Sequence, residues 1–218
     1  MKRPYVIINC AMSADGKIAL PNKQQLRISS RKDIERMYKL RNTCDAVLVG
    51  INTILTDDPK LTVKDEYMDE IHQPIRVVLD THCRTPLDAL VVNEKSKTYI
   101  FTKKDIVTKK FGKNVEIIVC DTDEEGLIDI SNMLQILARK GIKSLMVEGG
   151  GTIIWNFLKK GFVDDIYVYI GPIIIGGCKT PTLADGKGIT DEDDKIKLTL
   201  VGIDKLGDGI LTHYKLIK

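Results

Sequence analysis

The sequence has no Cys-x-x-Cys, no His-Glu-x-x-His and no His-x-Glu, and each absence removes a class of chemistry. Five cysteines (Cys10, Cys44, Cys83, Cys120 and Cys178) are scattered through 218 residues. An odd, dispersed set excludes a thiolate zinc ribbon, argues against a disulfide framework and reads as free thiols in a reducing cytosol. The three histidines, His72, His82 and His213, fit neither a zinc-protease pattern nor the deaminase pattern completed by Pro-Cys-x-x-Cys. The most apolar run, residues 166–177, is shorter than the ~20 residues that span a bilayer. Asp15 and Lys17 interrupt the amino-terminal apolar stretch, so no signal peptide is expected. A net charge of +3 lacks the basic excess of a nucleic-acid surface, yet leaves room for a local site for a phosphorylated small molecule. Repeats, low-complexity tracts and Pro/Gly/Ser linkers are absent, which predicts a single domain over residues 1–218.

What the chain does contain is a recurrence of short Val/Ile-rich runs, at 5–11, 46–49, 75–79, 98–101, 115–119, 144–147 and 166–170. Near-continuous apolar strands of this kind belong in a sheet covered on both faces. Between several of them the period changes to that of a helix. Ser30 with Asp33 makes a capping-box-like start. Ile130, Met133, Leu134 and Leu137 form one helical face, opened by Asp129 or Ser131 and stopped by Gly141. A further helix is predicted from Gly151 to just before Gly161. The alternation predicts βαβ units and a largely parallel sheet. At the carboxyl end, runs at 196–204 and 210–217 flank Leu206-Gly207-Asp208-Gly209, a hairpin signal.

Polar residues concentrate where these strands end. Glu148-Gly149-Gly150-Gly151-Thr152 lies at a strand-to-helix junction, where helix amino-terminal N–H groups and close backbone approach favour a bound anion. The strict dinucleotide fingerprint fails, because Ile154 stands where its third glycine belongs. A plain tight turn needs only one glycine. Asn52 and Thr53 follow the strand that Gly50 ends, and Asp57-Asp58-Pro59 reads as a rigid acidic turn. Asn9 to Lys17 closes the first strand with polar groups around Asp15-Gly16. Taken alone, each of these two segments is equally well an ordinary solvated turn. Arg84 follows a third polar strand end, the Asp80-Thr81-His82 segment, and exposed arginine is usually just solvated. Trp155 reads as packing. No nucleophile–base arrangement is evident, a pattern that fits chemistry carried by a cofactor.

Six segments together resemble one family in order and over essentially the whole chain. They are residues 9–17 (NCAMSADGK), 40–50 (LRNTCDAVLVG), 53–62 (TILTDDPKLT), 76–86 (RVVLDTHCRTP), 147–151 (VEGGG) and 171–177 (GPIIIGG). The family is that of the riboflavin-biosynthesis pyrimidine reductases. The resemblance implies an α/β, dihydrofolate-reductase-like fold with a mostly parallel central sheet, helices on both faces and a C-terminal antiparallel hairpin. It also implies reduction, by NADPH or in some members NADH, of the ribosylamino side chain of a phosphorylated pyrimidine. A cytoplasmic homodimer without nucleic-acid or membrane partners is expected, with 166–175 either an interface or a core strand.

Bacterial relatives usually fuse this domain to a zinc deaminase and often carry Lys where this chain has Asn9. A first motif at Asn9 leaves no room upstream for such a fusion. Both points suggest the archaeal/fungal type, with 2,5-diamino-6-(ribosylamino)-4(3H)-pyrimidinone 5′-phosphate as substrate. A reductase of the deaminated pyrimidine or of a dihydropterin, or a silent nucleotide-binding regulator, are the alternatives. Carried over by motif, Asp57 and Glu148 are the catalytic candidates. Asn9, Ser13 and Asp15 line the substrate site, while Ser29, Arg41 and Lys64 hold its 5′-phosphate. Thr53, Asp57, Asp80, Thr81, Arg84, Gly149, Gly150, Gly151 and Thr152 are the cofactor-binding candidates. No metal is expected.

Overall fold

The computed structural model describes residues 2–106 and 109–217. In chain order its elements are β1 (Tyr5–Ser13), α1 (Arg31–Thr43), β2 (Ala46–Gly50), α2 (Ile51–Asp57), β3 (Ile75–Leu79), β4 (Thr98–Thr102) and β5 (Val115–Val119). There follow α3 (Ile130–Arg139), β6 (Ser144–Val147), α4 (Gly151–Lys159), β7 (Asp165–Gly171), β8 (Leu198–Leu206) and β9 (Gly209–Leu216). The strands take the order β5-β4-β3-β2-β6-β1-β7-β9-β8 in one sheet. The pairings of β2 with β3, β3 with β4, β4 with β5, and β1 with β7 are parallel. Those of β7 with β9 and β8 with β9 are antiparallel. This is the mostly parallel sheet with a terminal hairpin that the apolar runs predicted.

The chain forms two compact units, one of residues up to Tyr5 with Tyr38–Met146, the other of Val6–Met37 with residues from Val147 onward. In the first unit every residue of β2 is buried, and α3 turns Ile130, Met133, Leu134 and Leu137 inward. Full burial of side chains such as Leu48, Ile100 and Leu137 contributes about 1.5–3 kcal/mol each. Asp129 is the α3 cap, its carboxylate accepting from the Asn132 N–H at 2.6 Å, which decides between the two candidates for that position. Among the described residues, the buried Arg76 on β3 has no carboxylate partner. Its guanidinium donates to Asn93 Oδ1 at 2.8 Å and to the backbone carbonyls of Asn93 and Ser96. Burial lowers its pKa to about 10.

In the second unit the predicted cap at Ser30 is present, with the Asp33 N–H donating to its Oγ at 3.2 Å. Ile166, Val168 and Tyr169 of β7 are buried within the chain, so 166–170 is a core strand rather than an interface. The β8–β9 hairpin turns through Gly207 at φ +70°, the first central position of a two-residue turn, where glycine carries a positive φ without Cβ strain. Apolar side chains lie exposed on β8 instead, including Leu200, Val201 and Ile203.

Candidate active site

In the first unit, the segment expected to be a loop after β2 is a short helix. Asn52, Thr53 and Thr56 are poor helix formers, but burying Ile51 and Ile54 against the core overrides that weak local preference. α2 ends at Asp57, and Asp58 adopts a left-handed conformation at φ +42° with its N–H returning to the Ile54 carbonyl. The two neighbouring carboxylates then part ways. Asp58 Oδ1 accepts from the Leu90 N–H at 2.8 Å and pins the turn. Asp57 is half-buried, and desolvation raises its pKa above the usual carboxylate value. Among the described residues none hydrogen-bonds to its carboxyl. An unpartnered, desolvated carboxyl is a costly structural feature and a common functional one.

The turn after β3 is built by Asp80. This fully buried residue accepts from the Thr85 N–H and Oγ1, both at 2.7 Å, while its other oxygen is buried without a partner. Asp80 therefore shapes the turn that presents Thr81 and the exposed Arg84, instead of facing solvent itself. Arg84 donates to Asn52 Oδ1 at 3.2 Å, and Thr53 sits half-buried on the same α2. Near the end of α1, Arg41 is 7% exposed and donates to the Thr62 carbonyl at 2.7 Å. Its guanidinium lies 5.2 Å from the Tyr38 ring centroid, and the Lys64 ammonium lies 5.5 Å from the same ring. Tyr67 stacks on Tyr38 at 4.9 Å. Of the two cations, Lys64 is the exposed one.

In the second unit, Ser13 and Asp15 are committed to holding a loop. The Ser13 hydroxyl is buried, donates to Asp15 Oδ1 at 2.6 Å and accepts from the Lys17 N–H at 2.9 Å. Asp15 also accepts from the N–H groups of Ile175 and Gly176, at 3.1 and 2.7 Å. Hydrogen bonds from Ser13 and then from Ile175 and Gly176 lower its pKa to about 2. Asp15 thus anchors the 171–177 motif to the end of β1. Ser29 is half-buried in a bend just before α1.

Glu148 follows β6, half-buried. Gly150 caps α4 with no side-chain hydrogen bond; its carbonyl accepts from the Ile153 and Ile154 N–H groups, which leaves those of Gly151 and Thr152 as the helix-start donors. The three glycines differ. A Cβ on Gly150 would meet nothing within 4 Å; on Gly151 it would lie 2.5 Å from the Thr182 carbonyl oxygen and 2.6 Å from Asp185 Oδ2. Gly149, which precedes the helix, is crowded by Ile153 of α4. Gly151 is therefore demanded by packing of the 182–185 segment, while Gly150 keeps an open approach. Thr152 is exposed on the first turn of α4. Trp155 packs against Gly186, as expected of a packing residue.

Cys10, beside Asn9, is not a nucleophile. Burial, reinforced by the carboxylates of Asp33 and Glu148, pushes its thiol up to about 12. Asn9 itself accepts a hydrogen bond from Arg36 at 2.7 Å, a partner not singled out from the sequence. The signal was present in the i,i+3 spacing of Asp33 and Arg36 on α1.

Each unit carries polar turns at its strand ends, a setting suited to cofactor-borne chemistry, and relatives named as reductases make this chain an oxidoreductase. Residues 4–212 match the model of the RibD C-terminal domain, and the chain belongs to that family. A 2,5-diamino-6-ribosylamino-4(3H)-pyrimidinone 5′-phosphate reductase of Archaeoglobus fulgidus is 38% identical over 214 residues, covering 95% of each chain. The protein of the same name from Methanothermobacter thermautotrophicus is 39% identical over 215 residues, 97% of this chain and 98% of that one. Among solved structures, a deaminase/5-amino-6-(5-phosphoribosylamino)uracil reductase of Thermotoga maritima superposes with a TM-score of 0.84 at 25% identity. That match covers 99% of this chain and 57% of the Thermotoga chain. The fold is dihydrofolate-reductase-like, as the motifs implied.

Proposed function

We propose that this protein uses NADPH to reduce the ribosylamino side chain of 2,5-diamino-6-(ribosylamino)-4(3H)-pyrimidinone 5′-phosphate to the ribitylamino form. The names of the archaeal relatives, which align end to end with this chain, support the substrate. The observation that carries the chemistry is the half-buried, unpartnered carboxyl of Asp57 with its raised pKa.

Opening the sugar breaks the C1′–O4′ bond, moves a proton from the side-chain nitrogen to O4′ and leaves a C1′=N double bond. When bound, NADPH supplies the hydride that adds at C1′, and a solvent proton completes the secondary amine. A carboxyl whose pKa is raised holds and releases a proton more readily at working pH, which supports Asp57 as the proton carrier in ring opening. Asn9 contacts the pyrimidine, and Glu148 faces the ribosyl region. Lys64 supplies the exposed charge for the 5′-phosphate as a point contact, with Ser29 a hydroxyl donor and Arg41 holding the Thr62 backbone beside it. The cofactor would be held by the open Gly150 with Gly149, Gly151 and Thr152 at the start of α4, and by motif Thr53, Thr81 and Arg84 are its further candidates. Such donors fit a pyrophosphate and a 2′-phosphate.

A second copy of the chain is proposed to cover β8. Among the described residues this edge strand pairs only with β9, and it exposes Leu200, Val201 and Ile203 beside an open ladder edge that another strand can satisfy. The expected setting is the cytoplasm, and no helix among the described residues is long and apolar enough to cross a membrane.

The test is NADPH consumption with the purified protein and each of the two pyrimidines, before and after deamination. Faster turnover of the diamino compound is expected. Turnover of the deaminated compound alone would overturn the substrate, and NADPH binding without turnover of either would overturn the enzyme reading.

A further inference from the structure

We infer that Arg36 is a positioning residue, which fixes the Asn9 side-chain amide as a hydrogen-bond donor toward the pyrimidine. The inference rests on the substrate contact proposed for Asn9. Arg36 and Asp33 are one turn apart on α1. The Asp33 side chain is 3% exposed, and its Oδ1 lies 2.8 Å from Arg36 Nε and 2.7 Å from Nη2. The same Nη2 donates to Asn9 Oδ1 at 2.7 Å. A guanidinium has donors only, so the opposite orientation of the amide would set donor against donor. The Asn9 carbonyl must face Arg36, and its NH2 group is turned away. Among the described residues, none accepts from that NH2.

The guanidinium is also held by a cross-strand row. Asn9 on β1 is opposite Tyr167 on β7, which is opposite His213 on β9. Arg36 lies 5.9 Å from the Tyr167 ring centroid. Tyr167 stacks on His213 at 4.2 Å with the planes 15° apart. His213 in turn lies 2.8 Å from Asp165 Oδ1. A buried carboxylate and an aromatic row thus hold Arg36 in place, and Arg36 sets the amide.

A fixed donor can distinguish the two pyrimidines. Deamination at C2 replaces an amino donor by a carbonyl acceptor and turns ring N1 from an acceptor into an N–H donor. An amide free to rotate serves either pattern. An amide locked by Arg36 serves one.

The experiment compares Arg36→Met with wild type on both pyrimidines. For the diamino compound kcat/KM falls about tenfold, the size of one charge-assisted hydrogen bond, and its preference over the deaminated compound shrinks. NADPH affinity is unchanged, and Arg36→Lys retains most of the preference. In an Asn9→Ala background Arg36→Met adds nothing further, because Arg36 acts through that amide. Equal falls on both pyrimidines, or a full tenfold fall in the Asn9→Ala background, would overturn the assignment. If Arg36→Met fails to fold with Asp33 left unpaired, the Asp33→Asn, Arg36→Met pair removes both charges and is read in the same way. Wild-type protein that reduces neither pyrimidine sinks the proposed function and this inference with it; active wild type with an unmoved preference in Arg36→Met sinks only the inference.

Discussion

Asp15, just after β1, and Asp57, at the end of α2, have the same side chain, and each lies in the segment that follows a strand. They are in opposite states. Asp15 accepts three hydrogen bonds, from Ser13, Ile175 and Gly176, and its pKa is lowered to about 2. Asp57 accepts none from the described residues, and desolvation raises its pKa. The first carboxylate is used up by the fold, and the second keeps the free lone pairs that the proposed proton carrier needs. Residue type and proximity to a strand end therefore do not distinguish a clamp from a reacting group; the count of satisfied lone pairs does.

The largest effect separating the two is expected from Asp57→Asn. Turnover falls about 100-fold or more, the range of a lost proton-transfer group, while NADPH affinity measured by titration stays within about twofold. Turnover as fast as wild type would make Asp57 a bystander. Asp15→Asn, by contrast, is expected to reduce turnover only as far as the 171–177 loop loosens.

The glycine-rich turn offers the next contrast. Gly151→Ala pushes a methyl group onto the Thr182 carbonyl, and overpacking of this kind costs about 1–3 kcal/mol. Gly150→Ala meets open space with φ at −66°, so thermal unfolding is unchanged, and a raised KM for NADPH then reports the approaching cofactor alone. Comparable melting curves for both variants would contradict the packing role of Gly151.

Arg41 and Lys64 repeat the distinction between fold and site in a pair of cations. Arg41→Met leaves the Thr62 carbonyl without its charged donor and costs about 1–3 kcal/mol in denaturant unfolding. Lys64→Ala leaves stability unchanged and raises KM for the phosphorylated substrate several-fold. The reverse result would exchange their roles.

The smallest effect is in the pH dependence of stability, where the two aspartates have opposite signs. Asp15 is lowered from an unfolded value of ~3.9, so its contribution is fully present above about pH 4 and is lost as pH falls toward 2. Asp57 is raised, so its contribution is present below ~3.9 and is lost as pH rises through its folded value. Asp15→Asn therefore flattens the acid limb of the stability curve, whereas Asp57→Asn slightly stabilises the protein at neutral pH.

The strands, three of the four helices and the hairpin were legible in the sequence because each follows from local periodicity and capping: Ile130 to Leu137 repeats at helical spacing, and Gly207 marks the turn. The α2 helix was not, because its stability comes from burying Ile51 and Ile54 rather than from propensity. At the site, the motifs named Asp57 as catalytic, Asp15 as substrate-lining and Asp80 as cofactor-binding, but not which of the three carboxylates has its hydrogen-bonding capacity filled by the fold. Only their surroundings in the folded chain separate them. Arg36 was missed because its partner Asn9 is 27 positions away.

By itself, then, the sequence determined a modest α/β chain without zinc-site cysteines or histidines, in which polar strand ends recur in a family's order. It could do so because periodicity, glycine placement and ordered motifs are local properties. The tertiary structure alone decided which polar groups have their hydrogen-bonding capacity filled and which do not. That depends on contacts made across long stretches of chain: Asp15 is quenched by a loop 160 positions later, and Asp57 is left with its lone pairs unspent.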